Sequence, residues 1–202
     1  MHRELTPSSA RPARIFIIGQ PGSGKSTLAQ KLGAALDIAV VDLDLVYRQG
    51  GGNGPLRPAA LRDADLAAVA QRPRWIAEGV HLDGTQCLME ESDLIVWLDH
   101  VSARRSSVRI VRRFISGAWH EVRNQRGWRR FFRFGDYARH LRELGRAIPE
   151  AHAYSGSPGG AAVTRADVAQ RLAGYREKVV RCATEGDVAA LVTRLERAAT
   201  QS

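Results

Sequence analysis

The chain reads as an α/β protein, a parallel β-sheet covered by helices on both faces in a three-layer α/β/α arrangement. Three observations predict this. Short apolar runs rich in β-branched residues, of the kind buried inside parallel sheets, recur along the sequence. Stretches with helical spacing separate them, which is the alternation that builds crossover units. The first apolar run also passes through a glycine-rich turn straight into a helical pattern. At 202 residues the chain is long enough for a substantial core, and no internal repeat is visible.

The elements follow in order. Residues 1–13, MHRELTPSSARPA, are polar and proline-bearing and read as a flexible tail without the apolar stretch of a secretory signal. Residues 14–202 then form a single domain. Ile15-Phe16-Ile17-Ile18 is the first strand. Gly19, Gly24, Lys25 and Ser26 fill the pattern G-x-x-x-x-G-K-[ST], and Leu28, Leu32 and Leu36 mark the helix behind it. In such a loop the glycines turn the chain so that its N–H groups face one anion, and the helix N-terminus adds its positive end. Pro21, Gly22, Ser23 and Thr27 complete the cradle with Gly19 and Gly24; Lys25 brings a full charge and Ser26 a hydroxyl for Mg²⁺. The loop therefore implies a nucleoside triphosphate, with ATP and Mg²⁺ the expected pair.

Ile38-Ala39-Val40-Val41 is the second strand, ending at Asp42-Leu43-Asp44. Residues 48–58, RQGGGNGPLRP, are turn-rich and expected to be flexible. A helix over about 59–71 follows, with Leu61, Leu66 and Val69 as its apolar side. Trp75-Ile76-Ala77 forms a third strand ending at Glu78-Gly79, and residues 94–98, LIVWL, a fourth ending at Asp99. A basic helix with Val108, Val111, Phe114 and Ile115 on one side comes next, then the low-complexity loop SGSPGGAA. Residues 177–182 supply a fifth strand, and residues 187–198 a closing amphipathic helix with Val188, Leu191, Val192 and Leu195.

In a parallel sheet, ligands bind beyond the carboxyl ends of the strands. That singles out Asp42, Asp44, Glu78 and Asp99. Asp42 and Asp44 sit at alternate positions and point to one side of an extended chain; Asp42 is the candidate metal acid, with Ser26. Asp44 and Glu78 join Lys25 as candidate catalytic groups, while Asp99 doubles as a helix-cap candidate. Tyr47 and Trp75 read as packing residues, and His81 as incidental.

Composition narrows the rest. No apolar run approaches the ~18 residues of a membrane span, so no membrane partner is expected and the location reads as cytoplasmic. Cys87 and Cys182 lack metal spacing and read as buried or incidental thiols. The net charge is +9, yet residues 102–146 hold thirteen Arg against three acids, +10 by themselves, so the remainder is near neutral. Trp119, Trp128, Phe131, Phe132 and Phe134 interleave with those arginines. This leaves an alternative open: a nucleotide-dependent nucleic-acid-binding protein, with Arg on phosphates and aromatics on bases. A non-catalytic nucleotide-binding module is the other.

GQPGSGKSTLA, the paired acids after the second strand, WIAEGV and VWLD, in that order, resemble the nucleoside-monophosphate-kinase group of P-loop proteins. Within that group the chain is most similar to the adenylate-kinase-related "DNA topology modulation" proteins. The resemblance covers residues 14–115 and 177–197 and is weak over 116–176. It implies the strand order 2-3-1-4-5, and an Arg-rich lid with a helical insert over about 116–176 that closes over the triphosphate. It further implies that Arg109 stacks near the adenine and Arg113 reaches the transferring phosphate, with Arg104, Arg105, Arg112, Arg123 and Arg126 as further lid candidates. Glu78 stands where related kinases carry the acid of their second nucleotide motif, and Asp-x-Asp resembles shikimate- and gluconate-type kinases. The expected activity is phosphoryl transfer to a small acceptor, a nucleotide or a hydroxylated metabolite, by a monomer or weak dimer. One departure is plain: true adenylate kinases follow the third strand with Asp-Gly-aromatic-Pro-Arg, whereas this chain has Glu78-Gly79-Val80-His81-Leu82 and no Arg for an acceptor monophosphate.

Overall fold

The first apolar run becomes the centre of the molecule. In a computed structural model, which describes residues 12–50, 54–100 and 163–200, β1 (Arg14–Gly19) lies between β3 (Trp75–Gly79) and β4 (Leu94–Leu98). β2 (Val40–Asp42) pairs with β3 on one edge and β5 (Val179–Cys182) with β4 on the other. Among the described residues this is a five-stranded sheet in the order β2-β3-β1-β4-β5, with every pairing parallel. The expected 2-3-1-4-5 order is therefore the one observed.

Strand alternation divides the core. Phe16 and Ile18 of β1 face one layer, with Leu66, Leu88, Met89 and Val168. Ile15 and Ile17 face the other, with Leu28, Leu32, Leu191 and Leu195. The helices on the first face are α2 (Leu43–Tyr47), α3 (Ala59–Ala70), α4 (Gln86–Glu91) and α5 (Arg165–Leu172), the last continued by a 3-10 turn at Ala173–Tyr175. On the second face lie α1 (Lys25–Leu36) and α6 (Glu185–Thr200). All four of these β1 side chains are fully buried, and burying one such aliphatic or aromatic side chain is worth about 1.5–3 kcal/mol. Both faces of β1 are thus dry, which explains why its sequence shows no polar alternation. Trp75 and Tyr47 are buried packing residues, as expected.

Two local readings need correction. The chain does not stay extended through Asp44: β2 stops at Asp42, whose carboxylate caps α2 by accepting the Asp44 N–H at 2.8 Å. An Asp at an N-cap satisfies an otherwise orphaned helix donor, and that interaction outweighs continuation of a short edge strand. Leu61 does not share the buried side of α3; it is exposed, and Leu66, Val69 and Ala70 carry the packing. The turn-rich segment after α2 has its described ends pinned: Arg48 pairs antiparallel with Leu56, and the guanidinium of Arg57 donates to the Val46 carbonyl at 2.9 Å. Two helices begin with reciprocal caps, Thr164 with Asp167 at α5 and Thr184 with Asp187 at α6. Residues 101–162 lie outside the described residues, and with them the Arg-rich segment, Arg109, Arg113 and the greater part of the expected lid and insert; the described end of that range, residues 163–176, carries α5 and the 3-10 turn.

Candidate phosphoryl-transfer site

The site is built where β1, β2 and β3 end. The loop from Gln20 to Gly24 leaves β1 and delivers the first turn of α1. At Gly19 a Cβ would stand 2.7 Å from the Leu98 carbonyl oxygen and 3.0 Å from the Ser23 hydroxyl, so only glycine lets β1 pass this close to β4 and the loop. Gly24 has φ +93°, a left-handed conformation that strains any L side chain. As the N-cap of α1 it brings no side-chain acceptor, and the first turn of α1 contains no acid. With no side chain capping it, the start of this helix suits an external anion, which its positive end attracts. The Ser23 hydroxyl is buried and makes no hydrogen bond among the described residues, an orphan that a phosphate oxygen would satisfy. The Lys25 ammonium folds back to donate to the Gln20 carbonyl at 3.0 Å, which keeps the charge beside the loop.

Next to the loop stands Glu78. It is 5% exposed and in register with Ile17 of β1 on one side and Asp42 of β2 on the other. Burial pushes its carboxyl above the usual range, opposed by a hydrogen bond from the Ser26 hydroxyl and by the charge on Lys25. Asp42 is also raised, chiefly by burial, against the hydrogen bond from Asp44. Asp44 moves the opposite way. His81 Nε2 lies 2.9 Å from its Oδ1, and this hydrogen bond holds the carboxyl below its usual range despite partial burial. Two aspartates two residues apart therefore have opposite electrostatic settings.

His81 is the group that residue-by-residue reading missed. Its ring stacks on Tyr47, centroids 3.9 Å apart and planes at 5°. Tyr47 in turn donates its hydroxyl to the Asp83 carbonyl and carries the Arg62 guanidinium over its ring. Asp99, weighed as a site acid or a helix cap, is used otherwise among the described residues. Its buried carboxylate accepts two hydrogen bonds from Arg165, each at 2.7 Å, and one from Arg181 Nε at 2.7 Å. It ties the end of β4 to β5 and to the start of α5.

On the other side of the loop, toward α6, lies a cavity of about 470 Å³. Gly22, Gly24 and Thr27 form its phosphate end, Leu28, Leu98 and Val192 its apolar walls. Among the described residues no group of three or more His, Cys, Asp or Glu is arranged to hold a metal ion, and no helix is long and apolar enough to cross a membrane. Mg²⁺ in phosphate sites needs no such cage, since one or two protein oxygens suffice when phosphates and water supply the rest. The Ser26 hydroxyl beside Asp42 and Glu78 is a hard-oxygen donor set of that kind.

The family model for Zeta toxin matches residues 1–49, the stretch that contains the glycine loop, α1, β2 and α2. A search of curated proteins finds no match. Solved structures that the chain matches include a gluconokinase from Sinorhizobium meliloti 1021, 15% identical over 95% of this chain and 93% of that one, with a TM-score of 0.44. A shikimate kinase from Bacteroides thetaiotaomicron is 16% identical over 92% and 97%, TM-score 0.44. A shikimate kinase from Acinetobacter baumannii in complex with shikimate is 14% identical over 94% and 93%, TM-score 0.43. At this distance the likenesses assign no residue a role. The P-loop α/β architecture itself stands on the strand order and the loop.

Proposed function

We propose that this chain is a P-loop kinase that moves the γ-phosphoryl group of ATP onto a hydroxyl of a small acceptor. The observation that carries this reading is the convergence, at the ends of three adjacent strands, of Lys25, the Ser26–Glu78 pair and two oppositely tuned aspartates. Phosphoryl transfer asks for charge neutralisation and alignment more than for covalent chemistry. The loop amides and Lys25 bind the polyphosphate, and the cavity beside the loop takes the nucleoside. Ser26 and, through water, Asp42 would hold Mg²⁺, with Glu78 anchoring the Ser26 hydroxyl. When bound, the ion supplies charge neutralisation on the β- and γ-phosphates. Arg109 and Arg113 belong to the same reading through resemblance alone.

Asp44 selects the acceptor. A carboxylate kept ionised accepts the hydrogen bond of an entering hydroxyl, orients it and repels a monophosphate. The acceptor oxygen bonds to the γ-phosphorus as the bond to the bridging oxygen of ADP breaks, and the hydroxyl proton passes to Asp44. The absence of an arginine in Glu78-Gly79-Val80-His81-Leu82 points the same way, to a hydroxylated metabolite rather than a nucleoside monophosphate.

The test is ADP release from Mg·ATP with a panel of sugars, hydroxy acids and nucleoside monophosphates. Release stimulated by a hydroxylated member, and abolished in Lys25→Ala, is the expected result. Stimulation by monophosphates alone would overturn the acceptor assignment, and none by any member would overturn the kinase reading.

A further inference from the structure

Asp44 stands in the first turn of a five-residue helix with about half of its side chain exposed, and the hydrogen bond to its carboxylate comes from outside that helix. The constraint comes from the segment after β3. His81 Nε2 lies 2.9 Å from Asp44 Oδ1, across 37 residues of sequence. An ionised carboxylate has no proton to give, so Nε2 carries the hydrogen and donates it. The imidazole is itself held. Its face lies parallel to the ring of Tyr47, which is buried and tied through its hydroxyl to the Asp83 carbonyl, two residues beyond His81. Tyr47 and Asp44 are three apart on α2 and share one face of it, so the stack and the hydrogen bond both grip that face. An exposed ion pair free to rotate is worth little, whereas this ring is fixed by its plane and by its edge at once.

We propose that His81 is a positioning residue: clamped on Tyr47, it holds Oδ1 of Asp44 through Nε2–H and so fixes the carboxylate that receives the acceptor hydroxyl. The inference rests on the reading of Asp44 given above and extends it to a residue that acts through Asp44. Catalytic carboxylates must be held within about half an ångström of their productive place, which a half-exposed side chain on a five-residue helix does not achieve alone.

Two variants of the full chain separate positioning from folding. His81→Phe keeps a ring on Tyr47 and loses the donor; His81→Gln loses the ring and places an amide N–H near the position of Nε2. Three readouts are taken: the Kd for Mg·ATP, the rate of ADP release from Mg·ATP with water as acceptor, and the ¹⁵N signature of the His81 imidazole. We expect His81→Phe to bind Mg·ATP as the wild type does and to release ADP about 10- to 100-fold more slowly, the range seen for lost orienting partners. His81→Gln should recover most of the rate. The wild-type imidazole should show a protonated Nε2 that responds to Asp44→Asn. Wild-type turnover in His81→Phe, or an imidazole indifferent to Asp44→Asn, would overturn the proposal. Failure of the underlying kinase reading looks different: the wild type itself takes up no Mg·ATP or releases no ADP, while the imidazole signature and its response to Asp44→Asn still decide whether His81 holds the carboxylate.

Discussion

The two halves of the site are made from different materials. The phosphate cradle is mostly main chain: a loop whose glycines permit its path, the first turn of α1, and one ammonium folded onto a carbonyl. It is welded to β1, every residue of which from Ile15 to Ile18 is fully buried. The acceptor corner is mostly side chain: a three-residue edge strand, a five-residue helix, and a histidine reaching over from the end of β3. A cradle of backbone groups and one ammonium binds any polyphosphate and asks for few particular side chains beyond Lys25. A corner of side chains on short elements can be respecified without disturbing the sheet, so generality and selectivity sit on opposite sides of the transferring phosphate.

If that division holds, substitutions at the two sides fail differently. Asp44→Asn has the largest expected effect on turnover short of losing the loop itself. Acceptor-dependent ADP release should fall by about 10²–10⁴-fold, the usual worth of a proton acceptor, with Mg·ATP affinity unchanged by calorimetric titration. Loss of nucleotide affinity in this variant would erase the distinction between the halves.

Glu78→Gln sharpens the comparison through stability. Burial holds the Glu78 carboxyl above its ordinary value of 4.5, so the folded chain binds that proton more tightly than the unfolded one. Its contribution is then fully present below about pH 4.5 and is lost as pH rises through the folded value. Glutamine keeps the shape without the charge. The variant should lose turnover and gain a few degrees of Tm at neutral pH, with the gain shrinking toward pH 4, as about 1 kcal/mol would give in a chain of this size. A Tm that drops at neutral pH would show that the Ser26 and Lys25 contacts outweigh the cost of burial.

Asp99→Ala lies outside both halves and should separate fold from site. Removing the buried acceptor leaves Arg165 and Arg181 without it, but both side chains are about half exposed and can hydrate. The expected cost is about 1–2 kcal/mol, read as a lower Tm with Mg·ATP affinity retained. Lost affinity would make Asp99 part of the site.

The strong elements were legible because they are local. The apolar runs of β1 and β4, the glycine loop and the spacing of Leu191 and Leu195 each state their structure within a few residues. The corner was less legible because its contacts are not. His81 meets Asp44 across 37 residues and Asp99 meets Arg181 across 82, and no period encodes such a pair. Thr164 with Asp167 is a reciprocal helix cap written in the sequence, and it announces α5. Asp42 two residues before Asp44 looked like alternation on a strand and was an N-cap, since the same spacing serves both. Leu61 matched the period of α3 but lies at its exposed first turn.

The central claim is that the loop and Lys25 grip a magnesium-bound triphosphate. Calorimetric titration of the purified full chain with ATP, with and without Mg²⁺, beside Lys25→Ala, tests it most directly. We predict saturable one-site binding that strengthens with Mg²⁺ and is lost in the variant. Equal heats from wild type and variant, or none from either, would contradict it.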